Sequence, residues 1–199
     1  VDGQAFLHHC MNRRFGKHTE IIQTDGGSEF KAAFKQDVEK YCVPAADKSG
    51  RFNSVEKALK EHSGKKALFL HLNDVYSIPS RLMPYEFFLV SLVKQPEMIK
   101  ALVAKTVDAN LALAKEAVQR GIKFIWTGDD YAYNLGLMFS PKVFESIFAP
   151  ELHRVMQGYK ELGLYVIKHT DGDIMSIIDT IIEAGIDCID ESDAFIHFS

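Results

Sequence analysis

The chain of 199 residues has three cysteines, one tryptophan and six prolines, and no apolar run longer than a few residues. Cys10, Cys42 and Cys188 are odd in number and contain no CxxC pair, so a reducing compartment is expected and Cys188, inside an apolar stretch, is expected in the core. The short apolar runs give no transmembrane segment, and no charged-then-apolar leader precedes them. Val1 stands where an initiator methionine would, so an upstream piece is left open. Charge of one sign is also lacking: the net charge is −4, which points to neither nucleic acid nor an acidic membrane surface. What remains, 47% hydrophobic and 25% charged residues, describes a globular protein, with the cytoplasm as the expected location.

Residues 1–42 differ in character from the rest. Glu20-Ile21-Ile22-Gln23-Thr24-Asp25-Gly26-Gly27-Ser28-Glu29-Phe30 reads as a strand ending at Asp25, a glycine turn, and a helix from Ser28 to Tyr41. This stretch resembles the strand around the second catalytic aspartate of DDE integrases and transposases. That resemblance makes Asp25 one of three carboxylates that hold two magnesium ions for phosphoryl transfer. Asp2 is too close to be the first of them, and Glu61, 36 positions on (61 − 25), has neighbours unlike the family's third motif. A turn with a cap at Ser28 explains the same residues without a metal, and no nucleic-acid partner is expected. Residues 43–53 carry the proline, glycine and serine of a connection, which sets a boundary near Cys42 and leaves 43–199 as the second unit.

From there apolar runs of strand length alternate with helical periodicity. A helix over 54–62, with Ser54 as N-cap, precedes a strand over 67–72. Helices follow over 84–93 and from Pro96 to Gly121, then a strand over 122–127. Ser140-Pro141 opens a helix, 164–167 is a strand, 174–184 a helix and 186–189 the last strand. Unbroken apolar strands imply a parallel sheet covered on both faces. Acidic strand ends at Asp74, Asp130, Asp171 and Asp190 favour a (β/α)8 TIM barrel, of which only four strands are present. The expected fold class is therefore α/β, a partial barrel with parallel strands alternating with helices.

An ordered set of segments carries a second resemblance: Pro44 to Phe52, Leu68 to Pro79, Gln95-Pro96-Glu97, Thr127-Gly128-Asp129-Asp130, Gly136 to Phe144, Lys168-His169-Thr170-Asp171-Gly172-Asp173 and Glu183-Ala184-Gly185-Ile186-Asp187. It is similar to the uroporphyrinogen decarboxylase superfamily, which also holds cobamide-dependent methyltransferases. The resemblance implies a barrel with a small-molecule substrate at the carboxyl ends of its strands. In the decarboxylase branch no cofactor is needed, Asp129 and Asp130 would stabilise a cationic pyrrole ring, and Tyr76 or His169 would hydrogen-bond substrate or move a proton. The methyltransferase branch implies zinc held by His-x-Cys and a later cysteine, a corrinoid, and a corrinoid protein as a possible partner. Here Asp171 stands in place of that cysteine, which departs from a thiolate-bound zinc site; His169 and Asp171 alone do not make a metal site.

Plainer readings accompany each candidate. Asp130 and Asp171 could cap following helices, Asp74 and Tyr76 could be loop hydrogen-bonders, and Tyr131 and Tyr133 could cover the barrel mouth. The arginine-bearing amino-terminal third of true decarboxylases has no counterpart in this sequence, which points to a truncated or chimeric chain that is inactive alone or a non-catalytic remnant.

Overall fold

The computed structural model describes Val38 and residues 45–190, so the integrase-like segment with Asp25 lies outside the described residues. Helix α1 (Asn53–His62) begins one residue before the expected cap, and Ser54 caps nothing. Packing fixes the start instead: Phe52 is buried and lies under the Arg120 guanidinium at 4.4 Å. Strand β1 (Phe69–Leu72) follows, then a short helix α2 (Ser77–Arg81), α3 (Tyr85–Lys94) and the long α4 (Pro96–Gln119). Pro96 occupies the first turn of α4, where its missing N–H costs nothing. Met98, Leu102, Val103, Val107 and Ala114 form the buried stripe that the periodicity predicts.

After β2 (Phe124–Gly128) comes a two-stranded hairpin, β3 (Ala132–Tyr133) and β4 (Gly136–Leu137), that sequence periodicity does not reveal. Ser140 then caps α5 (Pro141–Val143), its hydroxyl accepting the Val143 N–H at 3.3 Å. The helix widens into a π turn over Phe144–Phe148 before continuing as α6 (Ala149–Glu161). Pro150, with no N–H to donate to the preceding turn, stands at that junction. Strand β5 (Tyr165–His169), helix α7 (Ile178–Glu183) and β6 (Cys188–Asp190) complete the order. The helix expected from Ile174 starts only at Ile178. Ile174 and Ile177 are buried, as the apolar pattern requires, but in a turn.

Among the described residues the three long-range strand pairings are parallel, the fourth pairing is the antiparallel hairpin, and the main sheet runs β1-β2-β5-β6. The architecture is thus α/β, with parallel strands separated by helices in the manner of a part-barrel. One expectation fails. The strands are not covered on both faces but alternate, with Leu72, Ile125, Thr127, Val166 and Lys168 buried, while Phe69 is 45% and Tyr165 57% exposed. The described helices pack against one face only, and a period of two sends every second side chain to the other. For the same reason Cys188 is exposed rather than core: it pairs with Ile167 on the uncovered face of β6.

That uncovered face is aromatic. Phe69, Phe124 and Tyr165 share one rung, with ring centroids 5.1 and 5.6 Å apart. One rung up, Trp126 lies 4.9 Å from the His71 ring and 5.3 Å from the His169 ring. Gly128 completes the ladder: an added Cβ would lie 2.8 Å from His71 Nε2, so a side chain there would displace the imidazole.

Candidate functional site at the carboxyl ends of the strands

Gly128 of β2 pairs with His169 of β5, and His169 with Asp190 of β6, so these three positions form the top rung of the sheet. Just beyond it, Asp130 reaches across: its Oδ1 accepts the Asp171 N–H at 3.0 Å. His169 Nε2 is 3.6 Å from Asp171 Oδ1, and Nδ1 is 3.8 Å from Asp190 Oδ2. Asp190 is itself held by the Trp126 indole N–H at 3.2 Å. Three carboxylates therefore surround one imidazole that stands partly open on the uncovered face. Neither Asp130 nor Asp171 caps a helix, since a hairpin follows the first and a turn separates the second from α7.

Beneath this rim lies a second group, wholly buried. Asp74, just past β1, accepts the Val75 N–H at 2.7 Å and the Tyr131 hydroxyl at 2.6 Å, and its other oxygen is 3.2 Å from Lys168 Nζ. Lys168 Nζ also donates to the Asp129 carbonyl at 2.8 Å and the His169 carbonyl at 2.6 Å, and lies 4.6 Å from the Tyr131 ring centroid. The Asp129 carboxyl accepts the Tyr76 N–H at 2.6 Å and the Asn73 side-chain N–H at 3.1 Å. From α4, the Asn110 amide donates to the Asn73 and Asp74 carbonyls and fixes the loop that carries Asp74.

Electrostatics divides the two buried aspartates. Burial and the Asp74 charge push the Asp129 carboxyl well above the usual range, which favours its protonated form beside Asp74. Burial acts on Asp74 in the same direction, but Lys168 and its hydrogen bonds from Asp129, Tyr131 and Val75 outweigh it and hold that carboxyl low. Tyr131 remains a phenol because burial and both aspartates disfavour its anion. On the rim side, burial and the nearby His169 lower the pKa of His71.

The expected site residues thus fall into two sets. Asp130, His169 and Asp171 come together at the rim, with ligand atoms all within 4.8 Å of one another. Asp129 is buried below them, where it touches scaffold rather than solvent. Tyr76 is elsewhere again: 4% exposed, its hydroxyl is 2.8 Å from that of Tyr85, and its ring packs against Phe88, Phe139 and Phe148. Its expected contact with substrate is not what this placement offers. Tyr131 does not cover the mouth either, being fully buried, whereas Tyr133 is 51% exposed. Lys168, fully buried beneath the rim, is not among the residues to which the sequence points.

Asp130 adds a third donor to the pair His169 and Asp171. A tetrahedral ion with bonds of about 2.1 Å separates its ligands by roughly 3.4 Å, close to the 3.6 Å between His169 and Asp171. The donors are one nitrogen and two oxygens. A thiolate-bound zinc does not fit this set, because Cys188 pairs with Ile167, two positions below His169, and is not among the three.

The family model described as Uroporphyrinogen decarboxylase (URO-D) matches residues 12–194. The chain belongs to the uroporphyrinogen decarboxylase family. The match begins inside the integrase-like segment and runs on through the connection that follows. Among solved structures the chain is similar to a methyltransferase from Methanosarcina mazei, at 15% identity and a TM-score of 0.60. That likeness covers 68% of this chain and only 39% of the methyltransferase, and it shows the shared fold. No curated protein matches the chain. No described helix is long and apolar enough to cross a membrane.

Proposed function

We propose that this uroporphyrinogen decarboxylase-family chain supplies the central strands of an enzyme that decarboxylates a porphyrinogen-like small molecule at the rim formed by Asp130, His169 and Asp171. The observation that carries the reading is the meeting of these side chains at the ends of adjacent parallel strands. Such a decarboxylation begins with protonation of a pyrrole ring carbon. The carbon–carboxylate bond then breaks, its electron pair flows into the cationic ring and carbon dioxide leaves; a second proton converts the exocyclic methylene to a methyl group, and the first proton departs from the ring carbon to restore the pyrrole. His169 is placed to move a proton, and the Asp130 and Asp171 carboxylates to stabilise the cation that forms beside them. Desolvation at a closed rim would strengthen that attraction.

The rim suits the ring better than its acidic substituents. Three carboxylates surround His169, and Lys168 is buried and already paired, so groups that neutralise substrate carboxylates must come from outside this cluster. Cobamide-dependent methyl transfer is the second reading, supported by the fold shared with the methyltransferase and opposed by the absence of sulfur in the donor set. Anaerobic equilibrium binding of uroporphyrinogen to the purified protein separates the two. Decarboxylation predicts binding that weakens at least about tenfold in Asp130→Asn, with methylcobamide ignored. Methylcobamide binding with the same sensitivity would transfer the site to methyl transfer, and binding of neither would end both readings.

A further inference from the structure

We propose that Lys168 is the positioning residue of the rim: one buried ammonium ties the ends of β1, β2 and β5 together and so sets the separation of Asp130, His169 and Asp171. Lysine is almost never fully buried unless paired, and here the side chain has 0% exposure. An ammonium has three donors and no acceptor. Lys168 donates to two carbonyls, those of Asp129 and His169, and forms an ion pair with the Asp74 carboxylate at 3.2 Å. Each belongs to the end of a different strand. Two of the three are the backbone groups beside or at the rim residues themselves, since Asp129 precedes Asp130 and the other carbonyl is that of His169.

The geometry explains why a cation rather than an apolar side chain occupies this rung. Leu72, Thr127 and Ile189 flank Lys168 in register, so the position reads as core. An apolar residue there would leave two carbonyls without this donor and the Asp74 carboxylate without its counter-charge, and like partial charges would push the strand ends apart. Above the ammonium, the Asp130–Asp171 hydrogen bond closes the same gap from the solvent side. That upper bond is the natural reporter, because it forms only while the β2 and β5 ends keep their spacing.

The proposal concerns the site assigned above but is tested without any ligand, so failure of porphyrinogen binding leaves it standing or falling on its own readout. Amide hydrogen exchange of Asp171 is measured relative to Leu111 in the middle of α4, in wild type, Lys168→Met and the charge-matched pair Asp74→Asn with Lys168→Met. A positioning role predicts that the Asp171-to-Leu111 ratio rises at least about tenfold in either folded variant. A merely structural role moves both amides in parallel. An unchanged ratio in a folded variant overturns the proposal, and so does loss of folding in both variants, which would make Lys168 a general core cation.

Discussion

Two clusters of ionisable groups occupy the same end of one sheet, and consecutive residues feed both. Lys168 and Asp129 go to the buried cluster, while their neighbours His169 and Asp130 go to the rim. Strand pleating does the sorting at Lys168 and His169, since successive side chains leave opposite faces. The buried cluster is held by contacts of 2.6 to 3.2 Å, whereas His169 meets its carboxylates only at 3.6 and 3.8 Å. Short contacts specify backbone geometry; looser ones leave side chains with hydrogen-bonding capacity to offer a ligand. His169 Nδ1 is buried yet has no hydrogen-bond partner among the described residues, in keeping with the second role.

The sharpest way to break the contrast is to remove the buried cation. Lys168→Met should cost about 3–5 kcal/mol in denaturant unfolding, because the Asp74 carboxylate is left buried and unpaired. Pairing it with Asp74→Asn should recover a large part of that loss. Gly172→Ala ranks next. Gly172 has φ +86°, and an added Cβ would lie 2.6 Å from the Ala132 carbonyl carbon and the Tyr133 nitrogen. The backbones of the hairpin and the β5 loop would have to separate, with an expected loss of about 1–3 kcal/mol in the same measurement.

Asp129 gives the comparison a pH dependence. Its folded pKa is raised, so the stability it contributes is fully present below the unfolded value of about 4 and is lost as pH rises toward the folded value. Within that window wild type should lose up to about 1.4 kcal/mol per pH unit relative to Asp129→Asn, whose amide does not titrate. Equal slopes in urea titrations at several pH values would show that Asp129 folds as an ordinary carboxylate. The smallest effect on stability belongs to the rim. His169→Gln should change unfolding free energy by no more than about 0.5 kcal/mol, and a loss of several kcal/mol would mean that the two clusters are one.

The strands, the long helix and the Ser140-Pro141 start were legible because apolar periodicity and capping chemistry act locally. The hairpin was not, because two-residue strands have no period; backbone bonds from Met138 to Tyr131 and from Asp173 to Tyr133 hold it in place. Asp130, His169 and Asp171 could be paired in advance from their places after apolar runs. Tyr76 is placed by its ring, which packs against Phe88 and Phe148, and that packing is not visible from its place in the loop after β1. Lys168 was missed because a lysine in a strand reads as a solvated position. Its signal was present in the alternation: it shares a face with Val166, which is fully buried. Cys188 shows the converse, an apolar-looking residue sent outward with Asp190.

A double-mutant cycle on uroporphyrinogen binding, with Asp130→Asn and His169→Gln singly and together, tests most directly whether the rim is one site. If both side chains face the same bound molecule, the two losses should be non-additive by at least about 1 kcal/mol. Additivity to within about 0.3 kcal/mol, or binding that neither substitution weakens, would contradict the account.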